Sequence, residues 1–216
     1  MVNCNFPITI VDNFLDDPFG VIKLAEQQEY RIDAGGRYPG KRTVHVGDFA
    51  PNFFNKTITK FFSIFYNLEN IKYQYHASMH FQKVGIQYDD GWIHADNPQL
   101  ISGIVYLNTN SSLNSGTSIC MPNSVDWVAT KNLDTKIESF LAEKENPTAR
   151  SENNDQFHET VIVKNKFNRL IAFDSHLAHK ANFELMPNNT ERLTLVFFVE
   201  NFITTELYPL TKMRRM

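Results

Sequence analysis

A strict alternation of apolar and polar residues runs through Tyr73-Gln74-Tyr75-His76-Ala77-Ser78-Met79-His80-Phe81-Gln82. A period of two predicts a β-strand with one apolar and one polar face. Outward from this strand, short apolar runs are separated by segments rich in Asn, Ser, Gly and Pro, which is typical of consecutive strands and turns. The additional strands are predicted at Pro7–Val11, Ser102–Leu107, Thr117–Met121, Glu159–Val163, Leu170–Phe173 and Leu193–Val199.

Two helices are predicted before the first long strand. Asp17 followed by Pro18 is a favoured pair of N-cap and first-turn residues, and the helix that they start would run to Ala25. Apolar residues on one face predict a second helix over Thr57–Tyr66. Helices followed by a series of strands predict an α+β fold that is mainly β, built as a sandwich or barrel.

The chain shows no internal repeat and no low-complexity linker, so we expect a single domain over residues 1–216. Its helical part would span residues 1–70, and its β core would span residues 71–205. The stretch 126–156 is polar, with a helix-like patch at Leu133–Ala142, and we interpret it as a surface insertion in the core.

Composition limits the class of protein. Of the 216 residues, 42% are hydrophobic and 21% charged, which indicates a globular chain without a membrane span. The formal net charge is −3 and there is no basic block, so neither a nucleic-acid nor a membrane partner is expected. Cys4 and Cys120 are expected to be unpaired thiols. Because no signal-peptide pattern is visible, we expect a cytoplasmic protein.

The triplet His94-Ala95-Asp96 is a candidate metal-binding motif. In an extended segment, residues i and i+2 project from the same face, so an imidazole and a carboxylate could reach one ion together. A further histidine from another strand would complete the two-histidine, one-carboxylate triad of non-haem iron oxygenases. His-x-Asp also occurs by chance, and an exposed turn is the alternative interpretation.

A second cluster follows a predicted buried strand at Phe167–Phe173. That strand leads into a segment containing His176 and His179, and Arg192 comes 13 residues after His179. An arginine offers a planar, two-pronged donor for a carboxylate, and Thr194 lies on the same strand face two residues later. The alternatives are a surface salt bridge for Arg192 and an ordinary strand position for Thr194.

Together, these segments resemble 2-oxoglutarate- and Fe(II)-dependent dioxygenases of the prolyl-4-hydroxylase-like branch. Four segments carry the resemblance in chain order, and they are residues 92–96, residues 101–108, residues 115–117, and residues 167–179 with Arg192-Leu193-Thr194. Ser115 replaces the first glycine of the family's Gly-Gly-x-Thr turn, and the interval from His179 to Arg192 is slightly longer than is common there. The segments at residues 10–15 and 38–42 further resemble small oxygenase-like proteins of phages and marine bacteria.

The resemblance implies a double-stranded β-helix (jelly-roll) with the N-terminal helices packed on one sheet. It also implies that His94, Asp96 and His179 bind Fe(II), with 2-oxoglutarate and O2 as co-substrates. Arg192 would pair with the distal carboxylate of 2-oxoglutarate, assisted by Tyr106 and Thr194. His176 is a rival third ligand, and the family spacing favours His179. The implied reaction is hydroxylation of a peptidyl residue such as proline, or of a small molecule, with succinate and CO2 as co-products.

Several alternatives stay open at the level of sequence. A non-catalytic jelly-roll that binds a metal or ligand would share these residues, and a zinc hydrolase would share the three ligands but would not need Arg192. His80 and Gln82 lie on the polar face of their strand and either line the co-substrate pocket or face solvent. The loop Gly35–Arg42 either attracts an acidic group through its basic residues or is a solvated turn.

Overall fold

The described part of the chain contains ten strands in two antiparallel sheets. The computed structural model describes residues 4–33, 38–85, 91–96, 98–124, 146–182 and 191–213. The strands are β1 Thr9–Val11, β2 Arg31–Ile32, β3 Lys41–Arg42, β4 Tyr73–Val84, β5 Ile101–Tyr106, β6 Thr117–Pro122, β7 Phe157–Val163, β8 Leu170–Asp174, β9 His179–Ala181 and β10 Arg192–Thr204. One sheet has the order β1-β8-β5-β10-β4-β3-β2, and the other has the order β7-β6-β9. The expectation of a mainly β protein is confirmed.

Short helices flank the sheets. They are α1 Pro18–Glu26, α2 Val46–Phe49, α3 Pro51–Phe62, α4 Ala149–Asn154 and α5 Pro209–Met213, with a 3-10 turn at Leu68–Asn70. As predicted, Asp17 caps α1, and its side chain accepts a hydrogen bond of 2.9 Å from the Gly20 backbone N–H. The second helix starts earlier and ends earlier than predicted, because Pro51 occupies its first turn and the chain turns after Phe62.

The main hydrophobic core lies between α1, α3 and one face of the seven-stranded sheet. Ala25, Ile58 and Phe61 of the helices are fully buried there, and the Phe61 ring lies 5.2 Å from that of Phe197 in β10. Because side chains alternate along a strand, Met79 and its odd-numbered neighbours in β4 fill this core. The opposite face of the sheet is therefore turned towards β6 and β9.

A smaller core joins the two sheets on that opposite face. It is formed by Tyr106, Ile119, Val163, Ile171 and Phe173. Gly116, at the start of β6, lies so close to β7 that a Cβ there would sit 1.8 Å from the Val163 carbonyl oxygen. Only glycine fits at this approach of the two backbones, which accounts for the glycine in the turn at residues 115–117.

The predicted strands all exist, but their ends differ. β10 runs to Thr204 rather than to Val199, because it stays paired with β4 beyond a bulge between Val199 and Asn201. The short strands β2, β3 and β9 were not predicted, since two or three residues carry no periodic signal.

Part of the predicted insertion lies outside the described residues. The helix-like patch at Leu133–Ala142 falls there, whereas the end of the insertion forms α4 and the start of β7. No helix among the described residues is long and apolar enough to cross a membrane.

Candidate metal and co-substrate site

The structure brings His94, Asp96 and His179 together. One ligand atom from each residue lies within 4.8 Å of the others. Nε2 of His179 is 3.2 Å from Oδ2 of Asp96, and Nε2 of His94 is 3.6 Å from Oδ1. The backbones of the two histidines are paired directly, with N–H···O distances of 3.0 Å and 2.8 Å, so β9 delivers His179 beside His94.

Hydrogen bonds orient both imidazoles in the same way. Nδ1 of His94 lies 2.6 Å from the Trp92 carbonyl oxygen, and Nδ1 of His179 lies 2.9 Å from the Leu177 carbonyl oxygen. A carbonyl only accepts, so each Nδ1 carries the proton and donates. Each Nε2 is directed towards Asp96, and in a neutral imidazole with its proton on Nδ1 this nitrogen carries the lone pair that binds a metal ion.

Asp96 is held by Ser102 of β5 and by Ser175, which directly follows β8. Its Oδ2 accepts a hydrogen bond of 2.7 Å from the hydroxyl of Ser102 in β5, and that hydroxyl lies 2.9 Å from the hydroxyl of Ser175. The Asp96 backbone N–H donates to the Ser175 carbonyl oxygen at 2.8 Å. The carboxylate is only 7% exposed, so its charge lies in a largely water-free environment that favours a cation beside it.

These residues fit a divalent metal ion. Two imidazole nitrogens and one carboxylate oxygen converge, their backbones are fixed by hydrogen bonds, and the proton positions suit coordination. Three protein ligands leave open positions for exogenous ligands, and this mixed donor set is typical of non-haem Fe(II) sites.

Arg192 and Thr194 line the same cavity as the three residues of the triad. Arg192 begins β10 and is 4% exposed, and burial lowers the pKa of its guanidinium below the usual value. Its Cζ lies 5.3 Å from the centre of the Tyr106 ring. Burying a positive charge is costly, so this position favours an anionic ligand in the cavity.

Tyr106 contacts cavity-lining residues on both sides. Its ring lies against Arg192, and its hydroxyl donates to Oγ1 of Thr117 at 2.8 Å. Complete burial raises the pKa of the Tyr106 phenol, so the hydroxyl stays protonated and can donate.

The structure separates the remaining sequence candidates. Gln82 is 5% exposed and lines the cavity, whereas Nδ1 of His80 lies 3.0 Å from the Thr43 carbonyl oxygen. His176 is 40% exposed in its side chain and contacts Asp174 at 2.9 Å. The described triad therefore contains His179 and leaves His176 outside.

Two further residues lie at the site. Arg42, from the loop predicted either to attract an acidic group or to be a solvated turn, lines the cavity. Asn154 of α4 accepts a hydrogen bond from the Ile93 N–H and donates one to the Gly91 carbonyl oxygen, each at 2.9 Å. No sequence signal marks Asn154, because its partners are backbone atoms about sixty residues away.

The sequence matches one family model over most of its length. Residues 1–199 match the model of a family described as "Family of unknown function (DUF6445)". The chain belongs to the DUF6445 family. No curated protein matches the sequence of this DUF6445 member.

Solved structures share the fold of this DUF6445 protein. HygX from Streptomyces hygroscopicus, solved with nickel and 2-oxoglutarate bound, is 12% identical, with a TM-score of 0.54 over 91% of this chain and 83% of HygX. HygX has also been solved with iron bound, and with nickel, 2-oxoglutarate and hygromycin B. EvdO2 from Micromonospora carbonacea var. aurantiaca is 10% identical, with a TM-score of 0.53 over 95% of this chain and 91% of EvdO2.

A third similar structure is SnoN, a non-heme alpha ketoglutarate dependent epimerase from nogalamycin biosynthesis. It is 11% identical, with a TM-score of 0.50 over 90% of this chain and 78% of SnoN. At such low identity these comparisons establish the fold, and the chemistry must be argued from the residues of the DUF6445 chain itself.

Proposed function

We propose that this protein is a 2-oxoglutarate- and Fe(II)-dependent dioxygenase with a double-stranded β-helix core. His94, Asp96 and His179 bind the metal, and Arg192 binds the distal carboxylate of 2-oxoglutarate with help from Thr194 and Tyr106. The observation that carries the proposal is the convergence of a largely buried His-Asp-His cluster, with both Nε2 atoms directed towards Asp96, and a buried arginine in one cavity. HygX, which has the same fold, binds nickel and 2-oxoglutarate.

In the proposed reaction the metal supplies the oxidation chemistry, and the protein binds and orients the co-substrate. Bound Fe(II) would couple the oxidative decarboxylation of 2-oxoglutarate by O2, giving succinate and CO2, to insertion of the second oxygen atom into a substrate C–H bond. The guanidinium of Arg192 matches a carboxylate with two parallel N–H donors, which fixes the orientation of the co-substrate. The largely buried walls limit water near the reacting groups.

The substrate is proposed to be a peptidyl residue, such as proline, or a small molecule that is hydroxylated. The chain is proposed to act as one domain over residues 1–216. A non-catalytic metal-binding and ligand-binding module is the competing proposal, because binding and turnover need the same cluster. The two proposals differ in whether succinate is formed.

Anaerobic titration tests the binding step. Adding Fe(II) and then 2-oxoglutarate to the protein should produce a visible metal-to-ligand charge-transfer band, since the keto acid would chelate the metal. The Asp96→Ala variant is the control and should give no band. Absence of the band in the wild-type protein would contradict the proposal.

Exposure to air tests turnover. The wild-type complex should form succinate from 2-oxoglutarate, and a substrate search by mass spectrometry should find a product that is heavier by one oxygen atom. Tight binding without succinate across many candidate substrates would favour the non-catalytic module.

A further inference from the structure

Four side chains lie in one row across neighbouring strands of the large sheet. Arg42 in β3 is opposite Gln82 in β4, Gln82 is opposite Thr194 in β10, and Thr194 is opposite Tyr106 in β5. Residues that lie opposite one another on antiparallel strands project from the same face. Arg42 therefore lies on the face that carries the cavity, about 10 Å or two strand spacings from Thr194.

Gln82 fixes the direction of the Arg42 side chain. Nε of Arg42 donates to Oε1 of Gln82 at 3.2 Å, and Nε2 of Gln82 donates to the Pro39 carbonyl oxygen at 2.7 Å. Both ends of the amide are thus used, and only one orientation of the amide satisfies both bonds. The guanidinium is held in a set position beside the cavity.

Two aromatic rings flank this guanidinium. Its Cζ lies 4.2 Å from the centre of the Tyr38 ring and 5.3 Å from that of the Phe198 ring. Contacts of this kind stabilise the cation through its planar faces and exclude water from them. Further N–H donors of a guanidinium point outward in its plane, which is the geometry that binds a carboxylate or a phosphate.

Arg42 and Arg192 serve different ends of the cavity. Arg192 lies two residues before Thr194, whereas Phe198, which contacts Arg42, lies four residues after it on the same face. Ser102 is opposite Phe198 and donates to Asp96. The Arg42 guanidinium thus extends from the Thr194 row towards the end of the sheet that holds the metal triad, away from Arg192.

We propose that Arg42, positioned by Gln82 and Tyr38, is the substrate-recognition residue of this cavity, and that the substrate carries a carboxylate or phosphate group. This inference rests on the proposed dioxygenase function and adds the chemical class of the substrate. Arg192 binds the co-substrate, and Arg42 binds the anionic group of the molecule that is oxidised.

The charges that line the cavity support a second anion. Among the cavity-lining residues that the structure describes, the acidic and basic side chains apart from the two histidines of the triad are Arg42, Arg192 and Asp96. A divalent metal and dianionic 2-oxoglutarate add no net charge when they bind together. Asp96 would face the metal ion and Arg192 the co-substrate, so the guanidinium of Arg42 favours an anionic group of a second molecule beside it.

Matched panels of ligands test the proposal. The protein is loaded with Ni(II) and 2-oxoglutarate, which prevents turnover, and titrated by calorimetry. One panel holds N-acetyl-L-amino acids and the corresponding amides, and the other holds hexose phosphates and the parent hexoses. At least one charged ligand should bind about tenfold or more tightly than its neutral counterpart, as expected for a charge-assisted hydrogen bond. The panel that contains it identifies a carboxylate or a phosphate.

Substitutions connect this preference to Arg42. Arg42→Gln should remove it, and Gln82→Met, which removes the amide that orients the guanidinium, should reduce it. Lys41→Gln is the matched control and should keep it, because Lys41 is the neighbouring residue on the opposite face and pairs with Glu191 at 2.8 Å. Circular dichroism checks that each variant is folded.

The outcomes are separable. Equal binding of charged and neutral ligands, no binding by either charged panel, or an unchanged preference in folded Arg42→Gln would overturn the role of Arg42. Failure of the wild-type protein to bind Ni(II) and 2-oxoglutarate would contradict the proposed function instead, and it is measured first.

Discussion

At the scale of single residues, the candidate ligands are distinguished by what Nδ1 contacts. In His94 and His179, Nδ1 faces the backbone carbonyl oxygen of the residue two positions earlier, so Nε2 points into the cavity. In His176 it faces the carboxylate of Asp174 instead. The local hydrogen bond therefore selects His179 over its rival more directly than the spacing along the chain does.

Removing a ligand should abolish iron-dependent succinate formation. His94→Ala and Asp96→Ala each leave two ligands, which is too few to hold Fe(II) in this geometry. His176→Ala serves as the control and should keep the activity. Succinate assays on folded variants check this, and turnover at the wild-type level in either ligand variant would refute the triad.

Arg192→Ala should mainly weaken the binding of 2-oxoglutarate. The loss should be about 2–4 kcal/mol, because the pair formed by a buried guanidinium and a carboxylate is largely desolvated. Titration of the anaerobic Fe(II) complex measures it. Arg31→Gln removes a charge from a side chain that is 72% exposed and should change nothing. If Arg192→Ala bound 2-oxoglutarate as tightly as the wild type, Arg192 would not be the residue that binds the co-substrate.

His80 should make the fold sensitive to mild acid. Burial is the main cause that lowers the pKa of His80 below its usual value of 6.5, and the neighbouring Arg42 and His45 act in the same direction. As the pH falls below that value, the unfolded chain takes up a proton that the folded chain resists, so stability falls. Urea unfolding at about pH 7 and about pH 5 should show a smaller decline for His80→Gln than for the wild type.

The exposed His158 supplies the control for this measurement. His158→Gln should decline as the wild type does, because its imidazole is exposed on β7. A decline of equal size in the His80 and His158 variants would show that His80 does not contribute.

At the scale of elements, α4 holds the segment that presents His94. Asn154 bonds to the backbone at Gly91 and Ile93, and Asn153 donates to the Ile93 carbonyl oxygen at 3.0 Å. The Trp92 carbonyl between them accepts from His94. A six-residue helix therefore sets the position of a group that orients a candidate metal ligand.

Asn154→Ala should lower the affinity for Co(II), used in place of Fe(II), by about 10- to 100-fold, the range typical of groups that orient metal ligands. Asp155→Asn, an exposed change at the residue that follows α4, is the control. Metal titration followed by absorbance measures both variants. Equal affinity in the two would mean that α4 only packs against the site.

The sequence predicted those elements whose pattern depends only on residues near one another in the chain. The alternation in β4 and the Asp17 cap of α1 depend on neighbours in the chain, and both were predicted. β9 could not be, because His179–Ala181 becomes a strand only by pairing with β6. For Arg42 the sequence left two alternatives open, a loop that attracts an acidic group and a solvated turn, because its place in the cavity follows from the register of β3 against β4.

At the scale of the whole molecule, net charge and local charge diverge. The chain carries a formal charge of −3, yet the described lining of its cavity has two arginines and one carboxylate. The net charge sums over the whole chain and does not show where the charges lie. The charge of the cavity depends on which residues the paired strands bring together. The triad and Arg192 were predicted from sequence through a resemblance to 2-oxoglutarate- and Fe(II)-dependent dioxygenases, whereas only the fold shows that they line one cavity.

Ligands should stabilise the folded protein by mass action. A metal ion and 2-oxoglutarate that bind only the native state raise the free energy of unfolding by about 2.7 kcal/mol at a hundred times the dissociation constant. Thermal unfolding with Mn(II) and 2-oxoglutarate together should give a higher Tm than with either alone. The Asp96→Ala variant should show no such increase, and an increase of equal size there would place the binding elsewhere.

The backbone pairing of His94 with His179 has a consequence for metal exchange. Two of the three donors are already neighbours through main-chain hydrogen bonds, so little rearrangement is needed when an ion enters or leaves. A chelator should strip the ion and leave an intact, refillable protein, unlike zinc fingers, which collapse without their metal. Iron supply in the cell, rather than refolding, would then set how much of the protein is loaded.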